Sequence, residues 1–154
     1  MTSTPPALTP PVITREQLLG TWRIVSCTRE LVPSGEKTDL MGKNPEGYIN
    51  YCADGRMLVF IIRSDRKTPV AATANAAESE HLFRSMAAYG GTWKFEGGMM
   101  YHNVDLAWNE TWAHTKQERR VRYDGRHLTL GAGPNLDPVD GLLSTREMVW
   151  EKVS

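Results

Sequence analysis

Met99–Tyr123, MMYHNVDLAWNETWAHTKQERRVRY, decides how the rest of the chain is read. Side chains along a β-strand alternate between two faces. That alternation puts Met100, His102, Val104 and Leu106 on one face of a first strand. It puts Gln117, Arg119, Val121 and Tyr123 on one face of a second, after the aromatic loop Asn109–His114. The first face is mainly apolar and belongs to a core. If the second joins it, an imidazole, an amide and a guanidinium enter the interior of a small β-protein. Burying such groups is costly unless they are paired, so this hairpin is the place to look for a site.

On either side the chain divides into short extended segments. Thr14-Arg15-Glu16-Gln17 has the form of a capping box, but only Leu18 and Leu19 follow before Gly20, so a single helical turn is expected. Strands are expected over 21–28, 47–51, 57–63, 92–95 and 99–108, then up to Tyr123, over 126–131 and over 145–153. Residues 29–46 and 132–144 carry Pro and Gly without a sustained period and read as loops, the first long enough to be a lid or binding element. Ala53-Asp54-Gly55 reads as a hairpin loop of two or three residues; the three-residue form, preferred for its left-handed Gly, turns Ile49, Tyr51 and Met57 inward. Asp124-Gly125 reads as a two-residue turn, which sets Leu128 and Leu130 opposite Val121 and Arg119. The alanine-rich stretch 71–88, with Leu82, Phe83 and Met86 on one stripe, predicts a helix over about 75–88 that Gly90-Gly91 ends. The fold expected is all-β: an eight-stranded antiparallel up-and-down barrel with one short helix at its side or mouth. Eight strands leave an interior that side chains fill or one small ligand occupies. A two-sheet sandwich fits the same pattern.

Composition narrows the partners. The chain has 154 residues, with eighteen basic side chains against eighteen acidic ones, so net charge points to neither nucleic acid nor an anionic membrane surface. No apolar run reaches the roughly 18 residues that a spanning helix needs. Residues 1–13, rich in Pro, Thr and Ser, read as a disordered leader ahead of one domain over 14–154, without the basic and apolar segments of a secretory signal. Cys27 and Cys52 are too few for a disulfide scaffold and read as reduced thiols in a cytoplasmic protein, with one bridge between them as the alternative. H-E-x-x-H, a Gly-rich phosphate loop and G-x-S-x-G are all absent, and no histidine spacing suggests a metal. No cofactor is implied, and a monomer or homodimer is expected.

Gly20-Thr21-Trp22 resembles the G-x-W motif of lipocalins, whose Trp closes the barrel floor. A longer ordered set carries the resemblance further. It comprises Leu18–Ser26, Gly47-Tyr48-Ile49-Asn50-Tyr51 with Asp54-Gly55-Arg56-Met57, and Ala88-Tyr89-Gly90-Gly91-Thr92-Trp93. It continues through His102 with Trp108, Trp112, Thr115, Gln117 and Arg119, and ends in Val149-Trp150-Glu151. Over residues 15–153 this set is similar to the small bacterial and fungal lipocalin-like domain proteins. The chain departs from their pattern at His114, where a Gly is expected before the Thr. The resemblance implies a calycin-type barrel. Such barrels include carriers, cyclases and decarboxylases, and some of these proteins accompany secondary-metabolite genes, so fold is implied more firmly than chemistry.

The candidate site follows. Trp22 is expected to fill the floor, with Arg146 stacked over it. A pocket is expected to be lined by Ile49, Tyr51, Met57, Trp93, Val104, Gln117, Tyr123 and Trp150, with Arg119 as its charged member and His102 either a buried neutral ring satisfied by a neighbour or a ligand-bonding or general-base group. Arg119 needs an acceptor: Asp105 or Glu147 in a structural reading, a ligand carboxylate, enolate or phenolate in a functional one. His114, beside Trp112, is a candidate gate. Two functions compete. In one, the barrel binds a small hydrophobic, anionic or phenolic molecule. In the other, it is a cofactor-free isomerase, cyclase or lyase, in which His102 moves a proton and Arg119 stabilises an oxyanion. A solid-cored interaction module is the third class.

Overall fold

The computed structural model describes residues 12–137 and 140–154. The expected leader lies outside the described residues except for Val12 and Ile13, and Ile13 is buried in the core.

Among the described residues there are nine strands: β1 (Gly20–Leu31), β2 (Lys37–Asp39), β3 (Glu46–Tyr51), β4 (Arg56–Ile62), β5 (Met86–Glu96), β6 (Met99–Ala107), β7 (Lys116–Tyr123), β8 (His127–Leu136) and β9 (Leu143–Lys152). Helix α1 (Arg15–Leu18) precedes β1, α2 (Ala76–Arg84) joins β4 to β5, and a 3-10 turn (Glu110–Trp112) joins β6 to β7. Every pairing is antiparallel, and β1 pairs with both β3 and β9, so eight strands close on themselves. The closed barrel excludes the sandwich and removes the exposed edges of an open sheet. β2 is an added strand laid on Thr28–Glu30 of β1.

Alternation builds the core. Ile49 and Tyr51 of β3 pair with Val59 and Met57 of β4, and all four are buried together with Ile61. The Ala53-Asp54-Gly55 loop has the expected length: Cys52 N–H donates to Arg56 O at 2.9 Å, and Gly55 takes a left-handed φ of 88°.

Four expectations need correction. The helix ends at Arg84, and Met86–Gly91 are strand, paired with Ile62–Met57. Local alanine propensity is outweighed there by ladder hydrogen bonds and burial, as is common for short segments. The Asp124 hairpin pairs Tyr123 with Leu128 and Val121 with Leu130. Its loop is therefore two residues longer than expected, and a shift of two keeps every side chain on its face. Leu106 is exposed, because a bulge shifts the β5–β6 register between Gly90/Gly91 and Leu106/Val104, leaving Asp105 as the extra residue. Finally, Ala132–Leu136 extend β8 and Lys37–Asp39 form β2, both within stretches expected to be loops.

Candidate functional site

One end of the barrel is closed. Trp22 is buried and its indole N–H donates to Leu18 O at 2.9 Å, which seats the turn of α1 against the floor. The cation over the Trp22 ring is Lys152, 4.7 Å from the centroid, and not Arg146. Lys152 also donates to the carbonyls of Gln17 and Leu19, and burial lowers its pKa. Arg146 instead donates to Asp137 at 2.6 Å near the other end.

Above this floor lies a cavity of about 300 Å³. Its walls are apolar and aromatic: Ile49, Val59, Ile61, Leu130, Met148, Trp108 and Trp112 all border it. Trp112 packs against Tyr89 and Trp108, each at 5.5 Å between centroids. Phe83 of α2 stacks near Trp108, so the helix stands at the mouth. The rim there is held by ion pairs: Arg29 to Asp140 at 2.6 Å, Arg29 to Asp137 at 3.4 Å, and Arg146 to Asp137.

The polar groups of the interior form a short relay. His102, 1% exposed, lies between two tyrosines: Tyr51 Oη is 2.8 Å from Nε2 and Tyr89 Oη is 2.7 Å from Nδ1. Burial first, and the nearby Arg119 charge second, push the His102 pKa down to about 3. The ring is therefore neutral at pH 7, with one donor and one acceptor nitrogen. Tyr51 has no other side-chain partner among the described residues, and a buried hydroxyl proton left unpaired is expensive. Accounting for every proton therefore has Tyr51 donating to Nε2 and Nδ1–H donating to Tyr89. Tyr89, which borders the cavity, then turns its own proton into it. The Arg119 guanidinium faces the same phenol and favours its ionised form, but burial outweighs that charge and keeps the Tyr89 pKa above its ordinary value.

Arg119 is 5% exposed and borders the cavity. It donates to Glu118 O at 2.9 Å, while its Nε has no acceptor among the described residues. Neither expected carboxylate reaches it: Asp105 pairs with Arg56 and Glu147 with Arg122, each at 2.9 Å. Trp150 Nε1, also at the cavity and fully buried, likewise has no acceptor. Arg119 Nε and Trp150 Nε1, with Arg29 Nε at the rim, thus bring buried donors without an acceptor among the described residues to the cavity, and Tyr89 adds its hydroxyl.

Of the residues singled out from sequence, Ile49, His102, Arg119 and Trp150 meet at this cavity. Tyr51 stands behind His102. Met57, Trp93 and Val104 are buried in the core without bordering the cavity, and Trp93 N–H donates to Cys52 O at 3.0 Å. Gln117 donates to Thr115 Oγ1 and borders a separate cleft in the wall. Tyr123 is half-buried and bonds Gly125 O. His114 is exposed, away from the cavity, with φ at 63°, the left-handed conformation in which a Gly is expected. Its N–H donates to Val104 O, and Val104 N–H donates to Thr115 O. Two residues thus face one at this bulge.

Tyr89, Cys27 and Met41 also border the cavity and were not anticipated as site residues. For Tyr89 the signal was the alternation Tyr89, Gly91, Trp93, which the helix expected over 75–88 concealed. Cys27 turns inward because β1 bulges between Ile24 and Ser26. Cys27 and Cys52 are both free; Cys27 is buried, and desolvation raises its pKa to about 11. Among the described residues, no three His, Cys, Asp or Glu side chains converge as metal ligands.

The closed barrel with its G-x-W floor has a counterpart in known sequences. A model of the lipocalin-like domain matches residues 19–153. The chain belongs to the lipocalin-like domain family. Among solved structures it is similar to a lipocalin-like protein from Bacteroides uniformis ATCC 8492. The identity is 12% and the TM-score 0.47, over 88% of this chain and 98% of that one. No curated protein matches it in sequence. Membership in the lipocalin-like family is consistent with binding a small ligand.

Proposed function

We propose that this lipocalin-like barrel binds a small, largely apolar organic molecule that presents an acidic or strongly accepting oxygen to Arg119, Tyr89 and Trp150. One observation carries the reading: the buried polar atoms at the cavity that have no partner among the described residues, Arg119 Nε and Trp150 Nε1 inside and Arg29 Nε at the rim, are all donors. Ligand sites usually combine apolar walls with a few convergent polar groups. An Arg that has lost water without gaining a carboxylate is stabilised by an anionic guest.

The enzyme reading has less support. Both His102 nitrogens are engaged by tyrosines, and a pKa near 3 makes the ring a weak base at neutral pH. Binding is read from the fluorescence of Trp108, Trp112 and Trp150 during titration with small aromatic carboxylic acids and their methyl esters. The proposal expects saturable quenching, with the acid bound more tightly than its ester. Titrations with no saturable change for any of these compounds would overturn it.

A further inference from the structure

The barrel wall is interrupted between β7 and β8. These strands pair only over Arg120–Tyr123 and Leu128–Gly131. Beyond Ala132 the register of β8 against β9 shifts, Gly133 adopts a φ of 91°, and Pro134 has no N–H to give. The Lys116–Arg119 half of β7 is thus left without a partner strand on that side. A cleft of about 520 Å³ opens there. It shares Trp112, Arg119 and Arg146 with the interior cavity.

Its lining is basic. Lys116, Arg119, Arg120 and Arg146 face it against a single acid, Glu118. Part of that charge is already engaged. Arg146 donates to Asp137, Arg120 donates to Gly133 O at 2.8 Å, and Lys116 lies 4.0 Å from Glu118. Two buried groups at its border are not engaged. Ser144, 1% exposed, has a hydroxyl without a partner among the described residues, and Arg119 Nε likewise has none there. A buried hydroxyl and a buried guanidinium N–H, both wanting an acceptor beside a basic opening, describe a seat for an oxyanion.

We infer that the wall cleft is the headgroup half of the ligand site. The barrel takes the apolar body of an elongated amphipathic acid, and its carboxylate, sulfonate or phosphate lies in the cleft between β7 and β8, with Arg119 at the junction. This rests on the binding function proposed above and adds the shape of the ligand and the place of its charge. A compact neutral molecule fills only the interior.

Two fluorescent probes share one skeleton: anilinonaphthalene sulfonate carries the anion, and N-phenylnaphthylamine lacks it. Both are titrated against the wild type, Ser144→Ala, Lys116→Met with Arg120→Met, and the control Lys94→Met, a lysine outside the cleft. The inference expects the double substitution to weaken the sulfonate roughly tenfold or more, as for lost charge-assisted hydrogen bonds. Ser144→Ala should weaken it several-fold, and neither variant should alter the neutral probe. Among the described residues the Ser144 hydroxyl has no partner to lose, so Ser144→Ala is expected to stay folded. Sulfonate affinity unchanged in both cleft variants would overturn the inference while the neutral probe still reports the cavity. An equal loss for both probes, or a loss as large in Lys94→Met, would also overturn it. If neither probe binds the wild type, it is the binding function itself that fails.

Discussion

Tyr89 and His102 share a hydrogen bond of 2.7 Å at the edge of the cavity, from strands β5 and β6 that pair side by side. It joins the buried imidazole to a phenol that borders the cavity. In the unfolded chain His102 takes up a proton near its ordinary pKa of about 6.5; in the folded chain only near 3. Between those values the unfolded state binds more protons, so stability falls as pH falls through that window and levels off below it. The slope is about 1.4 kcal/mol per pH unit from this group alone. Melting temperatures from pH 7 to 4 should therefore drop more steeply for the wild type than for His102→Gln. Parallel curves would show that the buried imidazole is not what acid attacks.

His114 holds a left-handed backbone that costs an L-residue roughly 1 kcal/mol relative to Gly. Its side chain is exposed and borders neither the interior cavity nor the wall cleft. His114→Gly should raise stability by about 0.5–1 kcal/mol, the gain being reduced by the added entropy of the unfolded glycine. Urea denaturation measures it, and ligand affinity should not move. A loss of stability would mean that the imidazole contributes a contact that offsets the strain.

Gly91 sits where β6 bulges toward β5. A Cβ built there would meet Asn103 O at 1.9 Å, a backbone atom that cannot step aside. Gly91→Ala should cost about 3 kcal/mol or more, whereas Gly97→Ala meets no atom and should cost only the roughly 1 kcal/mol of its left-handed φ of 60°. Equal effects in a denaturation series would contradict the close approach at the bulge.

Much of the fold was legible because its signals are local. The period of two in Gly47–Tyr51 and Met57–Arg63 set Ile49, Tyr51, Met57, Val59 and Ile61 on one face, and all five are buried. His102 and Arg119 were placed inside by the same rule. What sequence could not reveal were the bulges. An extra residue at Asp105 sends Leu106 outward, and another after Ile24 brings Cys27 in; neither leaves a compositional mark. Tyr89 was hidden by alanines whose helix preference loses to strand pairing. The polar relay through Tyr51, His102 and Tyr89 depends on which residues face each other across three strands, and no spacing along the chain encodes that.

In the binding proposal Arg119 serves the charge of a ligand and not the fold. This role is tested most directly by comparing Arg119→Met with the wild type in two measurements: melting temperature, and the affinity ratio of a small aromatic acid to its methyl ester. The account predicts that Arg119→Met folds with equal or higher stability, since a buried charge without a carboxylate is removed, and that the preference for the acid disappears. A variant that unfolds, or one that keeps the acid preference undiminished, would contradict it.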